Sequence, residues 1–126
     1  MTAAYVDTSC VVAIAFGEPG ATKLVRRLLE FDAIFSSNLL EAELRATFAR
    51  EQAEYDVTLV SGMGWVLPGR PLSPEIEVVL AAGFVRGADL WHLACALHVA
   101  GDPTELSFLT LDTQQRGVAE VLGFQT

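Results

Sequence analysis

The stretch Ala3-Ala4-Tyr5-Val6-Asp7-Thr8-Ser9 decides how the chain is to be read: a short apolar run ends on an aspartate and two hydroxyl residues, and a second apolar segment continues to Phe16. That order predicts strand, turn, helix. Near the other end, Leu106-Ser107-Phe108-Leu109-Thr110-Leu111-Asp112 repeats it, a strand over 106–111 that hands an aspartate to a helix over 113–122. Between the two, a helix is predicted over 21–30, with Leu24, Leu28 and Leu29 inward and Lys23, Arg26 and Arg27 on a solvated face. A short strand follows over 33–35. Ser36-Ser37-Asn38 starts an amphipathic helix over 39–54. Residues 57–69, punctuated by Gly62, Gly64, Pro68 and Gly69, hold one short helix and one short strand. Ser73-Pro74-Glu75 opens a helix to Val85, and Gly101-Asp102-Pro103 closes another over 89–100.

Strands alternating with helices through short connections predict an α/β fold, a central, mostly parallel sheet flanked by helices on both faces. In such a sheet ligands bind beyond the carboxyl ends of the strands, where Asp7 and Asp112 fall. No repeat or low-complexity tract interrupts the pattern, and 126 residues suit a single domain over 1–126.

Composition narrows the function. With 52% apolar and 19% charged residues the chain can bury a core and is not a disordered segment. Eight basic against sixteen acidic residues leave a net charge of −8, which argues against a broad basic surface for a polyanion. Two bound divalent cations would halve that charge, so its location matters more than its sum. Cys10 and Cys95 sit in apolar surroundings without a CxxC pattern and read as buried small hydrophobes. The first twenty residues lack Lys and Arg, and no uncharged run of about eighteen residues offers a membrane span. A cytoplasmic, reducing setting is the expectation.

Four acids carry the chemistry. Asp7 and Asp112 each stand where an N-cap would, and Gln115 completes a capping-box pattern with Asp112. Glu41 and Glu43 lie about 200° apart around their helix, so they cannot serve one site. Glu41 pairs naturally with Asn38 and Arg45 at the surface. Glu43 shares its face with Leu39, Leu40, Ala46 and Thr47, where an unpartnered carboxylate is expensive. Asp89 likewise opens a helix rich in Leu90, Leu93, Ala94 and Leu97.

If Asp7, Glu43, Asp89 and Asp112 converge, they cannot do so bare. Two carboxylates about 4 Å apart repel by roughly 4 kcal/mol even at an effective dielectric of about 20. Such a cluster takes up protons or binds hard cations, and an all-oxygen set suits Mg²⁺ or Mn²⁺. One or two of these ions can activate water, bridge a scissile phosphate and stabilise the leaving oxygen. Ser9 and Thr110 stand beside the first and last acids as supporting hydroxyls, and Arg45 and Arg86 are the candidate phosphate contacts.

These residues resemble the VapC-type PIN-domain toxins over nearly the whole chain. The likeness rests on Tyr5-Val6-Asp7-Thr8-Ser9, Glu43-Leu44-Arg45, Ala88-Asp89-Leu90-Trp91-His92-Leu93-Ala94 and Phe108-Leu109-Thr110-Leu111-Asp112, in that order, ending in Val121-Leu122-Gly123-Phe124. It implies an α/β/α sandwich and a Mg²⁺- or Mn²⁺-dependent endoribonuclease. It further implies homodimerisation and inhibition by a cognate antitoxin in a type II toxin–antitoxin system. The family's acids carry over to Asp7, Glu43, Asp89 and Asp112, the last being the most variable in role.

His92, one turn beyond Asp89 on an apolar helix, reads as a buried, hydrogen-bonded histidine rather than a base. Trp65 and Trp91 read as core or dimer-interface groups rather than base-stacking platforms. A phosphoacceptor receiver domain would want a late lysine, but the only lysine is Lys23. A haloacid-dehalogenase-like phosphatase would want a second aspartate where Ser9 stands. The stronger rival is a PIN-like binding module for RNA or protein with little or no activity.

Overall fold

The computed structural model describes residues 2–126. Its centre is β1 (Ala3–Val6), which pairs in parallel with β2 (Ala33–Ser37) on one side and β4 (Leu106–Leu109) on the other, while β3 (Gly64–Val66) extends the sheet beyond β2. The order β3-β2-β1-β4 is all parallel. The helices are α1 (Thr8–Ala15), α2 (Ala21–Leu28), α3 (Leu39–Arg50), α4 (Ser73–Ala82), α5 (Gly87–Ala100) and α6 (Thr113–Leu122). Short 3₁₀ turns cover Val57–Val60 and Pro103–Glu105.

Side chains alternate across a strand, so one strand feeds two cores. Ala4 and Val6 of β1 join Leu109, Val11, Leu40, Leu44 and Phe48 under α1 and α3. Tyr5 points the other way, with Phe108, Val79, Leu93 and Val118 under α4, α5 and α6. This gives the α/β/α layering. The close β2–β3 approach needs a glycine at 64: a Cβ there would stand 2.6 Å from the Phe35 ring.

Several boundaries fall short of the sequence pattern. The helix from Leu39 stops at Arg50, where the chain turns through Gln52 at φ 55°. The helix from Ser73 ends at Ala82, because Gly83 takes an extended conformation, and Leu72 rather than Ser73 occupies its N-cap. Strand β4 ends at Leu109, before the bend that carries Thr110 to Asp112. Leu29, expected to point inward, is 79% exposed, because α2 ends at Leu28 and Leu29 lies past its last turn. Trp91 lies against the core, its Nε1 donating to Ser37 Oγ at 3.1 Å. Cys10 and Cys95 are buried free thiols. No single helix among the described residues is long and apolar enough to cross a membrane.

The winding places the site. From β1 the chain moves outward through β2 to β3, then crosses back to lay β4 on the other side of β1. The direction therefore reverses between β1 and β4, and their carboxyl ends form the crevice where open α/β sheets bind ligands.

The loop entering α4 is clamped by charge. Arg70 holds Glu75 through two hydrogen bonds, Nη1 to Oε1 at 3.0 Å and Nη2 to Oε2 at 2.6 Å, and His98 Nδ1 lies 3.7 Å from Glu75. The Arg70 guanidinium holds the Glu75 carboxyl down to about 2. A depressed folded pKa stabilises above the ordinary carboxylate range and loses that stabilisation as pH falls through the folded value. Glu75→Gln is therefore expected to lower the melting temperature at neutral pH and to flatten its fall between about pH 4.5 and about pH 2. Thermal melts across that range check it; parallel curves for variant and wild type would exclude the clamp.

Candidate active site

Asp7 follows β1 directly and is 3% exposed. It occupies the N-cap position of α1 but makes no capping hydrogen bond with its side chain. Instead Ser9 Oγ donates to Oδ1 at 2.6 Å, and Thr110 Oγ1 meets Oδ2 at 2.8 Å. Both hydroxyls thus hold the carboxylate across the β1–β4 junction. Burial raises the Asp7 pKa despite these hydrogen bonds, so its charge is under-compensated.

Glu43 comes from the first half of α3. Thr8 Oγ1 donates to its Oε1 at 2.6 Å, and His92 Nε2 lies 3.2 Å from the same oxygen. The hydrogen bond from His92 keeps the Glu43 carboxyl below its ordinary range, against the opposing effect of burial. Glu41, two residues earlier, faces away: Asn38 and Arg45 both donate to it. The helical phase separates the two glutamates in the way their neighbours imply.

His92 is 1% exposed and connects Glu43 to the strand. Tyr5 Oη accepts from the Ser37 backbone N–H at 2.9 Å and lies 2.7 Å from His92 Nδ1. With one proton to give, the phenol donates to Nδ1, which assigns the Nε2–H tautomer that faces Glu43. The contacts of Tyr5, Thr8 and Ser37 were not legible in the sequence, because they join positions far apart in the chain.

Asp89, in the first turn of α5, makes no hydrogen bond through its carboxylate among the described residues. Burial raises its pKa first, and the negative charges of Asp112 and Asp7 raise it further. Asp112 caps α6, its Oδ1 accepting from Gln115 N at 2.7 Å. The capping box is only half formed. The Gln115 side chain turns inward, fully buried, to Thr110 Oγ1 at 2.7 Å and to the Asp89 carbonyl at 3.2 Å.

Asp7, Glu43, Asp89 and Asp112 thus line one cavity of about 280 Å³ together with Thr8, Ser9, Val12 and His92. An apolar cavity of about 310 Å³ beside Val6, Ile14 and Phe31 is larger, but no site acid lines it. Lining chemistry, not size, makes it the candidate site. Arg45 lies outside it, paired with Glu41 and set 4.1 Å over the Tyr55 ring. Arg86 lines an adjoining cavity with Asp89 and Asp112, without an ion pair to Asp89 among the described residues.

The model of the family described as PIN domain matches residues 4–121. The chain belongs to the PIN domain family. No curated protein and no solved structure gives a significant match. PIN domains are generally nucleases, so this is a nuclease-type fold and supports a hydrolase acting on nucleic acid. Divalent metals are typical of the family, and the residues present fit one by donor chemistry. Every acid in the PIN cavity offers carboxylate oxygen, and both ring nitrogens of its one histidine are engaged by Tyr5 and Glu43. Among the described residues, no three Asp, Glu, His or Cys side chains are already gathered closely enough to hold an ion. The fit therefore rests on donor type and uncompensated charge.

Proposed function

We propose that this PIN domain is a Mg²⁺- or Mn²⁺-dependent endoribonuclease that acts as the toxin of a type II toxin–antitoxin pair. The observation that carries the nuclease reading is that four carboxylates from four separated segments line one crevice at the β1/β4 switch point. A divalent cation held by Asp7, Glu43, Asp89 and Asp112 would supply a Lewis acid for the scissile phosphate and for water.

The chain's own residues prepare that site. Ser9 and Thr110 fix the Asp7 carboxylate in a buried position. His92 and Thr8 keep Glu43 ionised and oriented, which suits a ligand or a water-positioning group rather than a proton store. Asp89 and Asp112 stand on the rim of the same cavity from two helix starts.

The toxin role, the cognate antitoxin and the homodimer are supported by the resemblance in the four motifs around these acids, and the cytoplasmic setting by the two buried free thiols. Val78, Leu80, Phe84 and Val121, exposed on or beside α4 and α6, are apolar surface that a protein partner would cover.

Metal binding can be tested without turnover. A ligand that binds only the folded state stabilises it by about 2.7 kcal/mol at about one hundred times its dissociation constant. Mg²⁺ or Mn²⁺ is therefore expected to raise the melting temperature by several degrees, and Asp89→Asn to remove most of that shift. A shift of equal size in Asp89→Asn, or none in the wild type, would favour the inactive binding module.

A further inference from the structure

The net charge of −8 leaves open how such a protein holds a polyanion, and the placement of its cations supplies an answer. Three of the eight are neutralised locally: Arg45 by Glu41, Arg50 by Glu51 and Arg70 by Glu75. Lys23, Arg26, Arg86 and Arg116 have no carboxylate partner among the described residues, and Arg27 is held by the main-chain oxygen of Thr126. Of these, Lys23, Arg27 and Arg116 line a single cavity of about 400 Å³, and no acidic side chain lines it with them. The sequence treats Lys23 and Arg27 as a solvated helix face; the fold sets them opposite Arg116 of α6.

This basic cavity abuts the acidic one. Ser9 lines the acidic cavity and Cys10 the basic one; Asp112 lines the former and Leu111 the latter. Their shared wall is the bend after β4, where Thr110 Oγ1 meets Asp7 and Leu111 N donates to Ser9 Oγ at 3.1 Å. Arg116 braces that wall by donating to the Thr110 carbonyl at 2.7 Å, and Arg27 donates to the Thr126 main-chain oxygen at 3.0 Å. Each guanidinium keeps further N–H donors for a ligand.

We propose that the cavity walled by Lys23, Arg27 and Arg116 is a phosphate subsite that holds a backbone phosphate of the RNA adjoining the scissile one. The inference rests on the nuclease reading for its ligand. Three cations on one side of the Thr110–Asp112 bend offset the repulsion that the acids on the other side exert on an approaching strand.

The test measures binding of a short fluorescent single-stranded RNA to the intact protein in EDTA, by anisotropy, across about 50 to about 200 mM salt. Lys23 and Arg27 are exposed, so Lys23→Gln/Arg27→Gln should fold; Arg26→Gln/Arg50→Gln, which does not touch the cavity, matches its change in charge. Loss of about tenfold in affinity, with a salt slope shallower by about one to two, is expected for the first pair and not for the second. Equal affinity and slope in wild type and the first pair would overturn the subsite. So would unchanged RNA affinity with loss of a thermal shift given by inorganic phosphate, since the cavity would then take a free anion. Because no metal is present, an RNA-cleavage failure in the wild type is a separate result: it refutes the nuclease reading and leaves the binding comparison standing.

Discussion

Asp7→Asn is expected to lower RNA cleavage by about a thousandfold, roughly 4 kcal/mol of transition-state stabilisation, while the metal-free protein melts at the same temperature or higher. The two effects have one origin. Asp7 is buried and its pKa is raised, with burial the largest cause. A raised folded pKa means that stability is greatest below the ordinary carboxylate range and declines as pH rises through the folded value, so ionised Asp7 burdens the fold at neutral pH. Asparagine removes that charge and keeps the network. The Thr110 hydroxyl has one proton and two acceptors, Asp7 Oδ2 and Gln115 Oε1. An Asn Nδ2–H would donate to Thr110, which would then give its proton to Gln115, and Ser9 would still donate to Oδ1. Rates from single-turnover cleavage and melts in EDTA check both halves. Activity within about threefold of wild type would remove Asp7 from the site; a fall of several degrees in the metal-free melt would show that its charge supports the fold.

Tyr5→Phe carries the second large effect, on stability. The phenol oxygen accepts from Ser37 N–H and donates to His92 Nδ1, all three residues being buried. Phenylalanine keeps the stacking on Phe108, with ring centroids 5.4 Å apart and planes 6° from parallel, so the packing contribution is retained. What is lost is a partner for two buried polar groups, which costs about 2 to 3 kcal/mol. A lower urea midpoint with an unchanged m-value is the expected signature. Because Nδ1 then loses its acceptor role, the His92 ring is free to turn from Glu43, and cleavage should fall by several-fold as well. A midpoint shift equivalent to less than about 0.5 kcal/mol would show that water or a neighbour replaces the hydroxyl.

Much of the architecture was legible because it depends on local patterns. Asp7 and Asp112 follow apolar runs whose strand character needs no tertiary information, and their position at the carboxyl ends of strands follows from the α/β alternation. Glu43 was separable from Glu41 because helical phase gives each a different set of neighbours. The rest depended on residues brought together from distant segments. Nothing near His92 in sequence indicates that Tyr5, eighty-seven positions earlier, holds its ring against Glu43. Gln115 has the spacing of a capping box, yet burial directs its amide to Thr110 and Asp89. Arg45 is close to Glu43 in sequence, but the same phase that separates the glutamates carries it to Glu41 and Tyr55. Lys23 and Arg27 gain meaning only from Arg116, on a helix at the other end of the chain.

The most direct test of the central claim is cleavage of a mixed pool of structured RNAs by the purified protein with Mg²⁺ or Mn²⁺, mapped at nucleotide resolution. The four-carboxylate site predicts discrete cuts that disappear with EDTA and are absent with Asp7→Asn. Cuts that survive EDTA, or no cuts with either ion, would contradict a metal-dependent endoribonuclease.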